Sequence, residues 1–319
     1  MEKELIKERP EDFRDYIVPR DVRLETPSPS PDSSLVENDG SNGPESSIPV
    51  TEEVIERKAE FGTVDYPLMT DIEERYELPD GMLELCLAVE RQVQADPLQS
   101  NAVELDRALK REWFNISSKP GSSAAAVEDF LAAVTEGARL ALPFIVNAFD
   151  ANGNCALHYA VSHGNLAVVS RLVQCDSCDL NTFNRAGYTP VMLAALVDSS
   201  EQQDLSPLVR LFKKADLDMQ SKKEGQTALM LACGHGRRDT VRLLLMNGCE
   251  IDAQDEEGST ALMCAAEHGH TDIVKLIIEE PNCDCSIEDN DGSTALSIAM
   301  EAGHRDIGVL LYAKMNFEE

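Results

Sequence analysis

The chain has 319 residues, of which 43% are hydrophobic and 5% aromatic, and its 58 acidic residues outnumber 28 basic ones to give a formal net charge of −30. Because such a negative field repels phosphate backbones and anionic lipid, the composition argues against binding to nucleic acid or to a membrane surface. The longest apolar stretch, 140–149, is interrupted by Pro143 and Asn147 and is far shorter than the roughly 20 residues of a membrane span. We therefore expect no membrane insertion, and a basic segment of another protein is the partner that the charge would attract.

The start of the chain and its cysteines indicate the compartment. Residues 1–8 are charged where a secretory signal would be apolar. Nine cysteines, an odd number, are scattered along the chain without a disulfide-like pattern. We expect reduced thiols and a cytoplasmic protein.

Residues 1–70 differ from the rest and are predicted to be a disordered, acidic, linker-like segment. The stretch 25–50 is rich in Ser, Pro, Asp, Asn and Gly and has no apolar period that would supply a core. Thr26, Ser28 and Ser30 each precede a proline and are candidate phosphorylation sites. The segment is either a solvated linker that its prolines keep extended or a linker regulated by phosphorylation.

Residues 71–149 show helical periodicity. Apolar side chains recur at three- and four-residue spacings over 82–89 and again at Leu105, Leu109 and Trp113. The stretches 127–135 and 139–148 predict a further pair of helices with a glycine between them. Since a repeat array needs a terminal unit that covers its last apolar face, we interpret 71–149 as a helical cap with a degenerate opening repeat.

Residues 150–319 contain a periodic phrase. Gly-x-Thr-Ala-Leu occurs at 225–229, 258–262 and 292–296, and turn glycines follow at intervals of 34, 38, 33 and 34 residues. These glycines are Gly153, Gly187, Gly225, Gly258 and Gly292. The period and the phrase are typical of ankyrin repeats. The sequence therefore predicts an all-α fold, an ankyrin-repeat solenoid of five repeats, with the excess of the second repeat placed between its two helices at 197–204.

The third repeat shows why each unit should fold. Gly225 permits a tight turn, and the Thr227 hydroxyl is expected to accept a hydrogen bond from a free amide at the start of the first helix. Leu229 should face inward on that helix, as Val241 and Leu244 should on the second. Because helices this short are unstable alone, we expect stability to come from the stacking of neighbouring repeats.

The histidines recur at equivalent positions. His163, His235 and His268 each precede a glycine between the two helices of a repeat. Since equivalent positions lie in a row along a stack and do not converge, the sequence predicts neither a metal site nor a cofactor. His158 is expected to form a hydrogen bond within its own turn.

The cysteine pairs invite a similar test. Cys175 and Cys178 form one closely spaced pair, and Cys283 and Cys285 form another; each pair could supply two of the four ligands of a zinc ion. We interpret them as small buried residues of the turns instead. No phosphate-binding loop, zinc-protease motif or serine-nucleophile motif is present, so we expect a protein that is not an enzyme.

In such a stack the turn tips and the first helices form the concave surface, which is where we place a partner-binding groove. The predicted groove residues are Asn152, Asn154, Tyr159, Ser162, His163, Arg185, Tyr188, Leu193, Leu196, Glu224, Gln226, His235, Glu256, Glu257, Glu267 and Asp289. Tyr159, Tyr188 and Leu196 are expected to form an apolar anchor pocket, and the acids would receive basic side chains.

Six stretches, some outside the repeats, have a distinctive wording. They are Glu74-Arg-Tyr-Glu-Leu78, Glu112-Trp-Phe-Asn-Ile-Ser-Ser118, Asn152-Gly-Asn-Cys-Ala-Leu-His-Tyr159, Ala186-Gly-Tyr-Thr-Pro190, Asp255-Glu-Glu-Gly-Ser-Thr-Ala-Leu-Met263 and Asp289-Asn-Asp-Gly-Ser-Thr-Ala-Leu296. In these stretches the chain resembles the Kank family, whose members have an N-terminal KN motif and C-terminal ankyrin repeats. The resemblance runs from about residue 74 to residue 317.

The resemblance implies a cytoplasmic adaptor at the cell cortex, whose ankyrin domain binds a basic and apolar stalk peptide of a kinesin-4 motor. It also implies links to cortical microtubule control and to the restraint of actin polymerisation and stress fibres. Residues 1–73 show no KN motif, and no heptad stretch is long enough for the family's coiled coil, so talin and liprin binding are not supported. The alternative function is that of an ankyrin-type inhibitor or scaffold that masks a transcription factor or a signalling kinase.

Overall fold

The structure is a computed structural model of the chain, and it describes residues 75–95, 105–197 and 204–317. Within these ranges the chain is helical, and the sole extended pairing is an isolated bridge between Glu288 and Thr294. The α-helices in chain order are α1 (Met82–Ala95), α2 (Arg107–Ser117), α3 (Ala124–Gly137), α4 (Leu142–Val146), α5 (Ala156–Ser162), α6 (Leu166–Gln174), α7 (Pro190–Ala194), α8 (Ser206–Lys214), α9 (Ala228–Gly234), α10 (Arg238–Met246), α11 (Ala261–Glu267), α12 (Thr271–Ile278), α13 (Ala295–Glu301) and α14 (Arg305–Phe317).

Helices α1 to α4 pack into one bundle ahead of the repeats. Its centre holds Trp113 and Phe130, which are fully buried with ring centroids 5.2 Å apart. Helix α3 begins earlier than the apolar pattern indicates, because the Ser123 hydroxyl accepts a hydrogen bond from the Ala126 amide at 3.4 Å. Helix α3 packs against α6 of the first repeat, so the bundle lies where a cap would lie.

The predicted helix over 139–148 is wrong in extent. A single 3₁₀ turn at Arg139–Ala141 comes first, and α4 then runs only to Val146. Pro143 lies in the first turn of α4, the place in a helix where a missing amide costs least. Asn147 ends the helix, since its side-chain amide donates to the Pro143 carbonyl at 2.8 Å while its oxygen accepts from the Asp179 amide at 2.7 Å.

The remaining helices form five consecutive pairs, from α5/α6 to α13/α14. A tight turn joins the two helices of every pair except α7/α8, whose connection is longer. First helices contact the first helices of neighbouring repeats, and second helices contact second helices, so the array has two helical layers. Leu229 of α9 and Leu262 of α11 are almost completely buried between these layers. The residues added to the second repeat lie between α7 and α8, as the glycine intervals predict.

The first helix of each repeat begins at a reciprocal cap. In the third repeat the Thr227 hydroxyl accepts from the Met230 amide at 3.3 Å, which confirms the predicted cap, and the Met230 sulfur accepts from the Thr227 amide at 3.4 Å. The same exchange occurs at Thr189/Met192 and Thr260/Met263, and with a serine oxygen as the acceptor at Thr294/Ser297. The methionines are therefore hydrogen-bond acceptors as well as core residues.

His158 occupies the methionine position in the first repeat. Its Nδ1 accepts from the Cys155 amide at 3.2 Å, which confirms a bond within its own turn. Nε2 must then carry the proton, and it donates to the Tyr188 carbonyl of the next repeat at 3.2 Å. Burial lowers the pKa of His158 to about 4, so the ring is neutral near pH 7.

Three rows of hydrogen bonds join neighbouring units. Backbone amides at the turn tips donate to carbonyls of the preceding turn, at Arg185 to Asn152, Lys222 to Gly187, Glu256 to Glu224 and Asn290 to Glu257. Side chains that follow the turn between the two helices donate to carbonyls of the preceding unit, at Asn165 to Ser122, Arg237 to Leu196, His270 to Gly234 and His304 to Glu267. In the loops after the second helices, side-chain oxygens accept from the following loop, at Asn181 from Asp216, Asp218 from Glu250 and Asp252 from Asp284.

His158 should make stability depend on pH. Its folded pKa of about 4 lies below the ordinary value of 6.5, so the unfolded chain binds the proton first and stability falls as the pH drops from about 6.5 towards 4. We expect His158→Met, which installs the residue of the next three repeats, to remove this dependence. The gap in free energy of unfolding between wild type and variant should shift by about 1 kcal/mol between pH 7 and pH 5.5, measured by urea unfolding. A gap that stays constant with pH would contradict the assignment.

Replacing Gly269 or Gly234 by alanine should change the free energy of unfolding in opposite directions. Gly269 has a φ of 75°, and a Cβ there would lie 2.5 Å from Cε1 of His304. We expect Gly269→Ala to lower the free energy of unfolding by about 1–3 kcal/mol. Gly234 is helical with open space around it, so Gly234→Ala should raise stability by about 0.5–1 kcal/mol. Equal effects in thermal and urea unfolding would refute this account of the turn.

Candidate protein-interaction surface

The turns that precede the first helices lie side by side, and we call residues 150–154, 184–187, 221–225, 255–258 and 289–292 the turn-tip row. An aspartate fixes the first, fourth and fifth of these turns from within. Asp150 Oδ1 accepts from the amides of Asn152 and Asn154, both at 2.8 Å. Asp255 Oδ1 makes the same pair of bonds in the fourth repeat. The turn-tip row is therefore a preorganised surface that needs little ordering before it binds a partner.

The predicted groove residues divide into three groups by exposure. The exposed members are Asn152, Arg185, Glu224, His235, Glu256, Glu257 and Glu267. The half-buried members are Tyr159, Ser162, His163, Leu196, Gln226 and Asp289. The buried members are Asn154, Tyr188 and Leu193, at 1%, 9% and 3% exposure.

The buried members require a correction, because they offer almost no surface to a partner. The Asn154 oxygen accepts from the Asn184 side-chain amide at 2.9 Å, which joins the first turn to the second. The Tyr188 amide donates to Asn184 Oδ1 at 3.0 Å, and its ring belongs to the core, as does Leu193 of α7. These three side chains lie beneath the surface, so the predicted anchor pocket of Tyr159, Tyr188 and Leu196 is not open at Tyr188.

An aromatic cluster lies at the N-terminal end of the repeat array. The Tyr159 ring meets Phe114 of α2 edge-on with centroids 6.1 Å apart, and its other neighbour is His163 at 5.9 Å. The Tyr159 hydroxyl donates to Asp150 Oδ2 at 2.6 Å. Burial and this carboxylate raise the pKa of Tyr159 to about 12, and burial lowers the pKa of His163. The three rings are thus uncharged near pH 7, and each is only partly buried, so part of its surface is available for apolar contact.

Sequence reasoning missed Phe114 as a member of this surface. The signal was present, since Phe114 directly follows the buried Trp113 and so falls outside the apolar stripe of α2. A large aromatic residue off the stripe of a short helix indicates a second contact. Here that contact is Tyr159 of the first repeat.

Charge changes sign along the turn-tip row. The second turn carries Arg185, and the third carries Lys222 and Lys223 ahead of Glu224, all exposed. The fourth turn has only acids at its exposed tip, Glu256 and Glu257, and the fifth carries Asp289 and Asp291. The row therefore runs from basic in the second repeat to acidic in the fourth and fifth.

Asp289 differs from the other predicted acids. Its Oδ1 accepts from the Asp291 amide at 3.0 Å and from the Ser293 amide at 2.8 Å, as Asp150 and Asp255 do in their turns. Glu256 makes the inter-repeat bond through its backbone amide, and its side chain is exposed. The main role of the Asp289 carboxylate is therefore to hold its own turn.

The histidines of the surface cap helices. Nδ1 of His235 donates to the Leu231 carbonyl at 2.9 Å, and Nδ1 of His268 donates to the Cys264 carbonyl at 3.0 Å, at the ends of α9 and α11. Within residues 75–95, 105–197 and 204–317, no group of three or more His, Cys, Asp or Glu side chains is arranged to hold a metal ion. The segment 1–70 and its candidate phosphorylation sites Thr26, Ser28 and Ser30 lie outside the described residues.

Comparison with known proteins identifies the family. Three copies of the family model described as ankyrin repeats match residues 130–202, 196–289 and 235–318, which together exceed half of the chain. The chain belongs to the ankyrin-repeat family. Its all-α solenoid is an ankyrin-repeat array, and repeats of this family form scaffolds for protein–protein interaction.

Two similar proteins match part of the chain. Ankyrin repeat and SAM domain-containing protein 6 of Mus musculus is 37% identical over 97 residues, which is 30% of this chain and 10% of the relative. The protein of the same name from Rattus norvegicus is 35% identical over 97 residues, with the same two shares. The chain thus spans about a tenth of the length of these curated relatives, and neither carries the Kank name. No helix in the described ranges has the length and apolar character needed to cross a membrane.

Removing the Asp289 carboxylate should destabilise the fold more than removing the exposed Glu256 carboxylate. Asp289→Ala removes an acceptor for two backbone amides and should lower the free energy of unfolding by about 1–2 kcal/mol. Glu256→Ala removes an exposed carboxylate and should change it by less than about 0.5 kcal/mol. Urea unfolding of both variants at one pH checks this. Equal losses would show that the fifth turn does not depend on its aspartate.

Proposed function

We propose that this ankyrin array is a non-enzymatic adaptor that holds a segment of another protein across its concave surface. Ankyrin repeats form protein-interaction scaffolds, so the proposal specifies which kind of protein segment this array binds. The charge order of the turn-tip row is the observation that carries the proposal. It gives the surface a direction, because Arg185 lies in the second turn and Glu256 and Glu257 lie in the fourth.

The partner segment should have complementary chemistry in a fixed order. Its basic residues would lie against the fourth and fifth repeats, and an acidic or neutral part would lie against Arg185 and the two lysines of the third turn. An apolar side chain would contact the half-buried Phe114, Tyr159 and Leu196 at the other end. Exposed ion pairs contribute little affinity each, so the charges would set orientation and association rate, and the apolar contact would supply most of the binding energy.

The resemblance to the Kank family supplies a specific partner. We propose a stalk peptide of a kinesin-4 motor, with basic and apolar residues, bound in the cytoplasm at the cell cortex. On the same basis the adaptor would contribute to cortical microtubule control and to the restraint of actin polymerisation and stress fibres. This assignment rests on the matching stretches of sequence, such as 112–118 and 255–263, and on the acidic turns that suit a basic peptide.

Calorimetric titration of the full chain with the kinesin-4 stalk peptide tests the proposal. We expect binding that weakens as salt is raised, because exposed charges are screened. The double variant Glu256→Gln with Glu257→Gln should raise the dissociation constant about three- to tenfold. Tyr159→Ala should cost more, since it removes an apolar contact.

The matched control is Glu279→Gln, which neutralises an exposed acid at the end of α12, in the second-helix layer. It should leave affinity unchanged, and a loss equal to that of the single variant Glu256→Gln would show that net charge alone matters. A peptide with its basic and acidic ends exchanged should bind more weakly if the charge order matters. A folded chain that binds neither peptide would refute the kinesin-4 assignment, and capture of a transcription factor or kinase instead would support the inhibitor alternative.

A further inference from the structure

The loop between α12 and the fifth turn carries two cysteines separated by one residue. Cys283 is half-buried, Cys285 is 8% exposed, and both are free thiols. The two side chains are in hydrogen-bond contact, with the Cys283 thiol donating to the Cys285 sulfur. This pair has no part in the turn-tip row or in the partner binding proposed above.

Cys285 stands at a core position that other repeats fill differently. The equivalent residues are Leu180, Leu217 and Ile251, each 7–9% exposed, at the centre of the same loop in the three preceding repeats. A cysteine fills less volume than a branched aliphatic residue, so packing alone does not favour it here. Its distinguishing property is the thiol, which lies against a second thiol.

The residue between the two cysteines ties the fifth repeat to the fourth. The Asp284 amide donates to Asp252 Oδ2 at 3.0 Å, which is the last bond of the loop row. Asp284 Oδ1 in turn accepts from the Ser286 amide at 2.8 Å and from the Ser286 hydroxyl at 2.6 Å. A covalent change at the two cysteines therefore acts directly on the junction between repeats.

The surroundings of the pair favour one thiolate. The hydrogen bond from Cys283 lowers the pKa of Cys285, and the Lys314 ammonium of α14 lowers it further against the opposing effects of burial and of Asp252 and Asp284. The fully buried Cys233 shows the contrast, since burial raises the pKa of its thiol well above the usual value.

We propose that Cys283 and Cys285 form a peroxide-sensitive dithiol that closes into a disulfide and loosens the last repeat. The Cys285 thiolate attacks one oxygen of hydrogen peroxide, so that an S–O bond forms, the O–O bond breaks, and the released hydroxide takes up the proton that Cys285 had lost. The Cys283 sulfur then attacks the sulfenic sulfur, and the S–O bond breaks as the S–S bond forms. Hydroxide leaves with the Cys283 proton, so two thiols are oxidised and the peroxide is reduced to two waters.

The chain geometry permits this bond. Residues two apart have Cα atoms at most about 7 Å from each other, close to the upper end of the separation seen across disulfides, and the thiols are already in contact. Closing the small ring changes the backbone around Asp284. We expect the Asp284 bond to Asp252 to break, which would free the α13/α14 pair to open locally.

Peptide mapping of the full chain after graded hydrogen peroxide treatment tests the proposal. Tryptic peptide 276–305 contains Cys283 and Cys285 and no other cysteine. We expect this peptide to become two hydrogens lighter and resistant to alkylation. This oxidation should be about tenfold faster than the modification of peptides that contain Cys249 or Cys175. Hydrogen exchange in α13 and α14 should rise in the oxidised protein and return to its initial rate after reduction.

Variants give the controls. Cys283→Ala and Cys285→Ile, the latter copying the fourth repeat, should both abolish the disulfide and the change in hydrogen exchange. Cys249→Ser, at the position equivalent to Cys283, should leave both unchanged. Oxidation of peptide 276–305 no faster than that of the other cysteine peptides, or a disulfide between two chains, would overturn the proposal. A disulfide that forms without any change in hydrogen exchange would overturn the loosening of the last repeat.

Discussion

The structure depends on one constraint, which is that no repeat can bury its own apolar surface. Each first helix has only five to seven residues, and α9 places six buried side chains in a row that a single partner helix could not cover. The core exists only between neighbours, where first helices meet first helices and second helices meet second helices. Because the layers must stack in register, the turns are brought into one row, and the interaction surface is a consequence of how the core is buried.

The polar bonds between repeats make this stacking specific. Apolar layers alone would permit sliding, whereas the turn tips, the helix-turn side chains and the loop side chains each fix the register at several interfaces. The donors in the row of helix-turn side chains differ, from Asn165 to Arg237 to His304, but all reach a carbonyl of the preceding unit. The geometry of the row is retained while its chemistry varies, so individual interfaces can acquire a response to protons, as at His158, or a thiol pair, as beside Asp284.

Much of the fold could be predicted from the sequence, because glycine and threonine mark turns and caps at a fixed period. Gly225 and Thr227 have the backbone and cap roles that their residue types indicate. The methionine sulfurs could not be recognised as acceptors, since methionine at such a place is equally a core residue. The candidate site was harder, because alternate residues of a turn point to the surface or into the next repeat. Asn154 and Tyr188 point inward, and Asp289 serves its own turn, distinctions that depend on side-chain direction and not on spacing.

The backbone bonds along the turn-tip row also give the surface a unit of length. Successive turns are tied at a distance set by the thickness of one packed helix layer, about 10 Å. An extended chain advances about 3.3 Å per residue, so its every third residue meets an equivalent point of the next repeat. A helix advances about 1.5 Å per residue and reaches that point only after roughly two turns. The spacing of contact residues in any bound segment would therefore report whether that segment lies on the array as a strand or as a helix.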